Sequence, residues 1–399
     1  MKPSVLFVHS NAELYGADFI LLQVVCALRE WITPIVALPG EGDLTERLRQ
    51  EGIQVVITRD SVLRRVNFKP QKLPAFLYHL CQDVRALIRL IRQYNVRLVY
   101  SNTGAVVTGA LAARWCHIPN LYHVHEIIVH PRWLARTIAR LVLGNSAEVI
   151  AVSQAVKDNL LQYGRAGDPN IRVIHNGLDP TPFDREMDVL EVRREMGADP
   201  DQVLFGVIGR IHPWKGQFYF VEAARLVADV FPNARFVIIG GTFAGYEHLL
   251  SVLKARISKL ELEPFLRVLP YRQDVPRLMR ALDVFVLPST LPDPLPTVVL
   301  EAMASERPVI ATAHGGAPEM VLHGQTGLLI SPHDPVAFAE AMLQLAKDPQ
   351  QQRSMGSAGR LRLEHSFTLE RFHRQIGDCV CANLQFEIAK TTEPYNPNY

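Results

Sequence analysis

Short apolar runs rich in valine and isoleucine alternate with longer amphipathic stretches along almost the whole chain. In the first half the strand candidates are SVLFVH, TPIVAL, IQVVIT, RLVYSN, NLYHVH, EVIAVS and IRVIHN. Helical patterns fall between them, among others at 16–30, 73–95 and 131–144. The runs are continuously apolar, so each strand is expected to be buried on both faces, as in a parallel sheet covered by helices. NGLDPTPFDREMDVLEVRREMGADPDQ breaks the rhythm with proline, glycine and charge and reads as an interdomain linker. The alternation then restarts with VLFGVIG, RFVIIGG, FLRVLP, DVFVLPS, PVIATA and TGLLIS. The expected fold is α/β: two doubly wound Rossmann-like domains, with ligands at the carboxyl ends of the strands and a cleft where the domains face one another. The last ten residues, KTTEPYNPNY, read as a frayed tail.

A length of 399 residues agrees with two cores. Apolar residues make up 48 % and charged residues 21 %, which fits a globular chain, and a net charge of +2 argues against a dedicated nucleic-acid binder. Five cysteines lie scattered at Cys26, Cys81, Cys116, Cys379 and Cys381, with no C-x-x-C pair, and read as buried thiols in a reducing compartment. The opening MKPSVLFVHS is too short for a signal-peptide core, and no run approaches the length of a transmembrane helix. A cytoplasmic protein, soluble or peripheral on the membrane's inner face, is expected.

Candidate chemistry concentrates where strands end. In VIGRIHPWKGQ, Gly209 closes a strand and Arg210 and Lys215 flank a tight loop before a helix. Two cations beside free helix amides suit a diphosphate, although a solvated loop would account for the same charges. No Gly-Lys-Ser/Thr follows, so this is not a Walker A loop. LPSTLPDPLPTVVLEAMA places four prolines ahead of one short helix. Pro296 suits its first turn, and the amides of Leu295, Thr297 and Val298 are free to meet phosphate or hydroxyl oxygens. Asp293 precedes the helix and Glu301 lies inside it, where a carboxylate needs a partner, either a ligand or a structural cation. GGAPEM, with Gly315 and Gly316, offers a second turn and amide cluster. Gly16 and Ala17 in NAELYGAD open the first helix with little side chain to block a phosphate or sugar.

LYHVHEIIVH sets His125 and Glu126 at a strand's carboxyl end, as a carboxylate–imidazole pair or a satisfied structural histidine. His130 is five positions beyond His125, which rules out a zinc H-E-x-x-H. The Asp199–Asp201 run, DPD, has no strand feeding it and reads as a turn rather than a metal-binding D-x-D.

Together these residues resemble the retaining glycosyltransferases of the GT-B fold, family 4. The match runs from the first strand to about residue 385 and is strongest in GRIHPWKGQ, DVFVLPS, VVLEAMA, PVIATAHGGAPEMV, GQTGLLI and VIHNGLD. The resemblance implies an acceptor domain at 1–185, a donor domain at 186–366, a helix crossing back at 367–388 and a flexible tail at 389–399. It implies catalytic roles for Arg210 and Lys215 on the donor's diphosphate, Asp293 beside the transferred sugar and His125 facing sugar and acceptor. Glu301 would hold the ribose hydroxyls. Gly16, Ala17, Glu126, Asn176, Gly209, Leu295, Thr297, Val298, Gly315 and Gly316 would line the substrates.

The implied reaction moves a hexosyl unit from a nucleoside-diphosphate sugar to a saccharide or lipid-linked acceptor, with retention and with no metal or other cofactor. Two departures stand out. The family's E-x7-E begins here with Asp293, and its Gly-Phe-Gly is replaced by Pro294, Leu295 and Pro296. A GT-B epimerase, a phosphorylase needing pyridoxal phosphate, or a non-catalytic nucleotide-sugar-binding protein are the other readings.

Two basic stretches of the first domain add an expected partner. HPRWLARTIARLVL puts Arg132, Arg136 and Arg140 on one helical stripe, with Leu134, Ile138 and Leu141 on another face and Trp133 between. RDSVLRRVNFKPQK carries Arg59, Arg64, Arg65, Lys69 and Lys72 against Asp60 alone. Each could simply be solvated; together they point to an anionic membrane surface.

Overall fold

The computed structural model describes residues 2–59, 62–63, 71–165, 169–242 and 245–384. The chain divides into two compact units. One runs to Asn176 and is rejoined from Glu370 onward; the other spans Gly177–Leu369.

Among the described residues the first unit holds seven strands: β1 (Ser4–His9), β2 (Thr33–Leu38), β3 (Gln54–Ile57), β4 (Val96–Asn102), β5 (Asn120–Val124), β6 (Glu148–Ala151) and β7 (Ile171–Val173). Their order is β3-β2-β1-β4-β5-β6-β7, and every pairing is parallel. The second unit holds β8 (Val203–Ile208), β9 (Ala234–Ile239), β10 (Leu266–Leu269), β11 (Val284–Leu287), β12 (Val309–Thr312) and β13 (Gly327–Ile330). Their order is β10-β9-β8-β11-β12-β13, again all parallel. Each sheet therefore has one place where chain direction across the sheet reverses, at β1/β4 and at β8/β11. Loops leaving such neighbouring strands diverge to opposite faces and leave a crevice between them.

Local sequence accounts for these elements. Strands such as Phe-Val-Leu in β11 and Val-Ile-Ala in β12 are fully buried, which a pleated ribbon achieves only with helices on both faces. The second unit's core joins Phe205, Phe236 and Ile238 of the sheet to Phe220 and Val227 of the helix Gln217–Val230 and to Met342 and Leu345 of the helix Pro335–Lys347. In the first unit Leu6, Val8 and Val99 meet Leu87 and Ile91 of the helix Leu73–Gln93.

The structure corrects several expectations. The stretch read as a linker folds into the second unit, including residues 177–185, through two short helices, Thr181–Asp184 and Leu190–Glu195. Arg193 pins it there: its guanidinium pairs with Asp283 at 2.7 Å and donates to the Ala281 carbonyl at 2.8 Å. A charged sequence looked like linker because its cation is spent inside the fold. The DPD run is a turn closed by the Gln202 amide on the Asp199 carbonyl, 3.2 Å. The last described helix, Leu369–Leu384, packs with the first unit, where Asn383 donates to Glu148 at 2.9 Å.

Of the cysteines, all free, Cys379 and Cys381 are buried but Cys81 is exposed. The helix Arg132–Gly144 buries Leu134, Ala135, Ile138, Ala139, Val142 and Leu143, while Arg132, Arg136, Arg140 and Trp133 are exposed. Its apolar face is consumed by packing. Asp60, Arg64, Arg65, Lys69 and the 389–399 tail lie outside the described residues. Among the described residues, no helix is long and apolar enough to cross a membrane.

Candidate functional site

In the second unit, Gly209 follows the end of β8, and its φ of +154° leads into the loop carrying Arg210 and His212. A single 3-10 turn, Pro213–Lys215, follows, and Gly216 at φ +75° starts the next helix. A side chain at Gly216 is impossible: its Cβ would lie 1.8 Å from the Pro288 carbonyl oxygen. The loop after β8 is thus pressed against the segment leaving β11. Thr290 sews the two together, its amide donating to Trp214 O at 2.7 Å and its hydroxyl to Pro213 O at 3.1 Å. Gln217 Nε2 holds the Arg210 carbonyl at 2.7 Å.

Across this junction the Lys215 ammonium pairs with the Asp293 carboxylate, both largely shielded from solvent. A third loop, after β12, crosses beneath Asp293. Cβ atoms at Gly315 and Gly316 would fall 2.3 Å from Asp293 O and 2.1 Å from Pro294 O, so both positions require glycine. The Gly316 amide donates to Asp293 O at 2.8 Å. One amide of the expected second cluster, the Gly316 N–H, is therefore committed to the chain. The density of backbone-setting residues around 287–321 serves this three-loop crossing.

The helix Thr297–Ala304 begins one residue after Pro296, which stands as its N-cap rather than in the first turn. Its Thr297 and Val298 amides precede the first intrahelical bond, and both residues are partly exposed, whereas Leu295 is buried. Glu301 sits at the fifth helical position, partly buried, and its carboxylate has no hydrogen bond or ion pair among the described residues. Burial pushes its pKa up to about 7. His314, bonded to Ser289 O at 2.8 Å, and His212 are both held below the ordinary histidine range, in each case mainly by burial.

In the first unit the polar groups gather at β1/β4. His9, the last residue of β1, meets Asp18 of the first helix, Nε2 to Oδ1 2.7 Å. Asn102, the last residue of β4, lies between His9 and His125, with Nδ2 3.0 Å from His9 Nδ1 and Oδ1 3.0 Å from His125 Nε2. The His125 ring packs 4.0 Å from that of His123, which is fully buried against the Tyr100 hydroxyl. Burial lowers the pKa of both imidazoles, and His125 is lowered further by His123 and His9.

The expected pairing of the Glu126 carboxylate with the His125 imidazole does not occur. Glu126 accepts from the main-chain amides of Gly104 and His125 instead, both at 3.1 Å. Adjacent residues project apart, so neighbours in sequence rarely meet through their side chains. The carboxylate–imidazole pair of this region is His9–Asp18, which sequence reasoning missed. Its only local signal was a histidine ending the first strand and an acid in the first turn of the next helix.

Gly16, at φ +32°, is exposed with open space where a side chain would be, and Ala17 follows partly buried. Asn176 follows β7 at the end of the first unit's long segment, buried with its Oδ1 unpartnered among the described residues.

Paired Rossmann-like units, with a basic, glycine-crossed loop set in the second, are the architecture of the GT-B glycosyltransferases. The chain belongs to that family: residues 188–362 match the model for glycosyl transferases group 1 and residues 32–181 that for glycosyltransferase family 4. It is 30 % identical to the alpha-maltose-1-phosphate synthase of Mycolicibacterium smegmatis over 68 % of this chain and 75 % of that protein. It is 27 % identical to the Escherichia coli UDP-Gal:alpha-D-GlcNAc-diphosphoundecaprenol alpha-1,3-galactosyltransferase over 67 % of this chain and 72 % of that one. Among solved structures, Anabaena HepE in complex with UDP-glucose superposes with a TM-score of 0.82 at 27 % identity, covering 95 % of this chain and 99 % of that one.

Proposed function

We propose that this glycosyltransferase moves a hexosyl unit from a nucleoside-diphosphate sugar to an acceptor hydroxyl with retention of anomeric configuration. The observation that carries the reading is the Lys215–Asp293 pair, held at the β8/β11 switch point by three mutually locked loops. Departure of a nucleoside diphosphate builds negative charge on its oxygens. Lys215 and Arg210, with the Thr297 and Val298 amides, supply preorganised positive potential there and need no metal ion to do so. Glu301 holds the ribose hydroxyls, and Asp293 stands beside the departing sugar. Transfer proceeds on one face of that sugar, with a leaving phosphate oxygen taking the acceptor's proton.

The first unit takes the acceptor. Gly16 and Ala17 let the donor's phosphate side approach the main chain, and His125 faces sugar and acceptor. Glu126 and Asn176 complete the first unit's lining, and Gly209 belongs to the diphosphate loop of the second unit. A saccharide or lipid-linked acceptor agrees with the activity named for the Escherichia coli relative, an alpha-D-GlcNAc-diphosphoundecaprenol alpha-1,3-galactosyltransferase. Peripheral attachment to an anionic membrane would rest on Arg132, Arg136, Arg140 and Trp133, since the apolar face of their helix is already packed.

UDP-sugars are the first donors to test, because the Anabaena neighbour is solved with UDP-glucose. Thermal-shift screening against UDP-, GDP- and ADP-sugars should show one donor class raising the melting midpoint by mass action. With that donor and an acceptor series in excess chelator, NMR of the product should show the donor's anomeric configuration kept. Inversion, or loss of turnover restored by a divalent ion, would refute the mechanism. Epimerised donor in the absence of acceptor would replace the function.

A further inference from the structure

The polar chain at β1/β4 has a direction. The Asn102 side-chain nitrogen lies 3.4 Å from the Ala17 carbonyl, which can only accept, and 3.0 Å from His9 Nδ1. Its NH2 group therefore points toward His9 and its oxygen toward His125. An NH2 group facing His9 Nδ1 requires that nitrogen to be bare, so the His9 proton sits on Nε2, where it donates to Asp18 Oδ1 at 2.7 Å. His9 Nδ1 also lies 3.1 Å from the Asn102 main-chain oxygen, but a proton there would set N–H against N–H across the amide. Asp18 is itself fixed, since its other oxygen accepts the Tyr15 amide at 3.0 Å at the start of the helix. At the far end, the Asn102 oxygen 3.0 Å from His125 Nε2 calls for a proton on Nε2 and leaves Nδ1 as the acceptor of that ring. His9, Asp18 and Asn102 are each 5 % exposed or less. Solvent therefore cannot rearrange the chain cheaply.

We infer that Asp18 and His9, acting through Asn102, are positioning residues that hold His125 in one tautomer, with Nε2 protonated and Nδ1 presented as a hydrogen-bond acceptor to a substrate hydroxyl. The inference rests on the proposed reading that His125 faces the sugar and acceptor. A neutral histidine without such a relay would divide between two tautomers, and only one could accept from a hydroxyl at a given place. Fixing the tautomer in the free protein removes that rearrangement from the reaction.

Glutamine and leucine at position 9 separate relay from packing. Glutamine can donate to Asp18 through its NH2 and accept from Asn102 through its oxygen, as the imidazole does; leucine fills space and does neither. Full-length protein labelled with 15N-histidine, with His125 assigned by comparison with His125→Gln, reports the tautomer directly. Wild type and His9→Gln should show His125 protonated at Nε2. His9→Leu and Asp18→Asn, neither of which touches His125, should shift it to a mixture. In the same variants kcat should fall by roughly 10- to 100-fold for His9→Leu and Asp18→Asn. It should stay within a few-fold for His9→Gln, with donor KM little changed in all three. Leucine matching or exceeding glutamine in turnover, or an unchanged His125 tautomer in both His9→Leu and Asp18→Asn, would overturn the relay. Altered tautomer with unaltered turnover would overturn its role in the reaction. Absence of transfer by the wild type is a separate outcome and would count against the proposed function alone.

Discussion

Replacing Glu301 by glutamine tests whether a carboxylate is stored at a cost to the fold. Its midpoint moves from 4.5 to about 7 because burial penalises the charged form. At about 1.4 kcal/mol per pH unit that difference is about 3.5 kcal/mol. The sign follows from linkage: with the folded pKa raised, the folded state retains a proton that the unfolded state has lost between pH 4.5 and about 7. Stability therefore falls as pH rises through that window, and the full penalty stands above it.

Glu301→Gln removes the charge and keeps the shape. Near pH 4, below the window, it should be almost neutral for stability. At pH 8.5 it should stabilise by about 3.5 kcal/mol at most, or a rise in melting midpoint of roughly 7–14 °C for a unit of this size. Donor affinity should move the other way, weakening in the variant at pH 8.5 because the ribose hydroxyls lose a charged acceptor. Thermal denaturation of the full chain at the two pH values, with calorimetric titration of the donor, measures both. An equal stability change at both pH values, or none at pH 8.5, would show that Glu301 is not held in a desolvated site.

Four other outcomes follow from the geometry. Lys215→Ala leaves Asp293 without its cation and the leaving diphosphate without one donor, so kcat at saturating donor should drop by about 100-fold or more, read in steady-state transfer assays. Gly216→Ala, whose Cβ would collide with the Pro288 carbonyl at 1.8 Å, should part the two loops and lower both donor affinity and the melting midpoint. Arg193→Met strands Asp283 and should destabilise by about 3 kcal/mol in urea unfolding, with donor affinity of the remaining folded protein unchanged. Arg132, Arg136 and Arg140 changed together to glutamine should abolish salt-sensitive sedimentation with anionic liposomes; sedimentation of the wild type no greater than with neutral vesicles would point to a soluble acceptor.

Thirteen strands of the described residues were legible as apolar runs, most of them because burial on both faces of a parallel sheet leaves a purely local mark; the edge strand β3 was legible from its valines and isoleucine although no residue of it is fully buried. The glycines at 216, 315 and 316 were legible as punctuation, but their purpose was not. Only the structure shows that each lies where one main chain crosses another, and that Gly316's amide is thereby used up. Glu301 stood out as an acid in an apolar helix, and the structure supplies the desolvation that turns the oddity into a shifted midpoint.

What the sequence determined by itself was the succession of strands and helices, the two-core organisation and the places where chemistry gathers at strand ends. Propensity and hydrophobic period act over a few residues, so they can be read without knowing what lies across the fold. The tertiary structure decided which side chains meet. Lys215 and Asp293 are 78 positions apart, and His9 and Asn102 are 93 apart; each pair meets because sheet order sets β8 beside β11 and β1 beside β4. It likewise decided that Glu126 turns from His125 toward two main-chain amides and that Arg193 folds a stretch that read as linker. Hydrogen bonds and ion pairs act over about 3 Å, and the distance that matters to them is set by the path of the sheet rather than by the count of residues between.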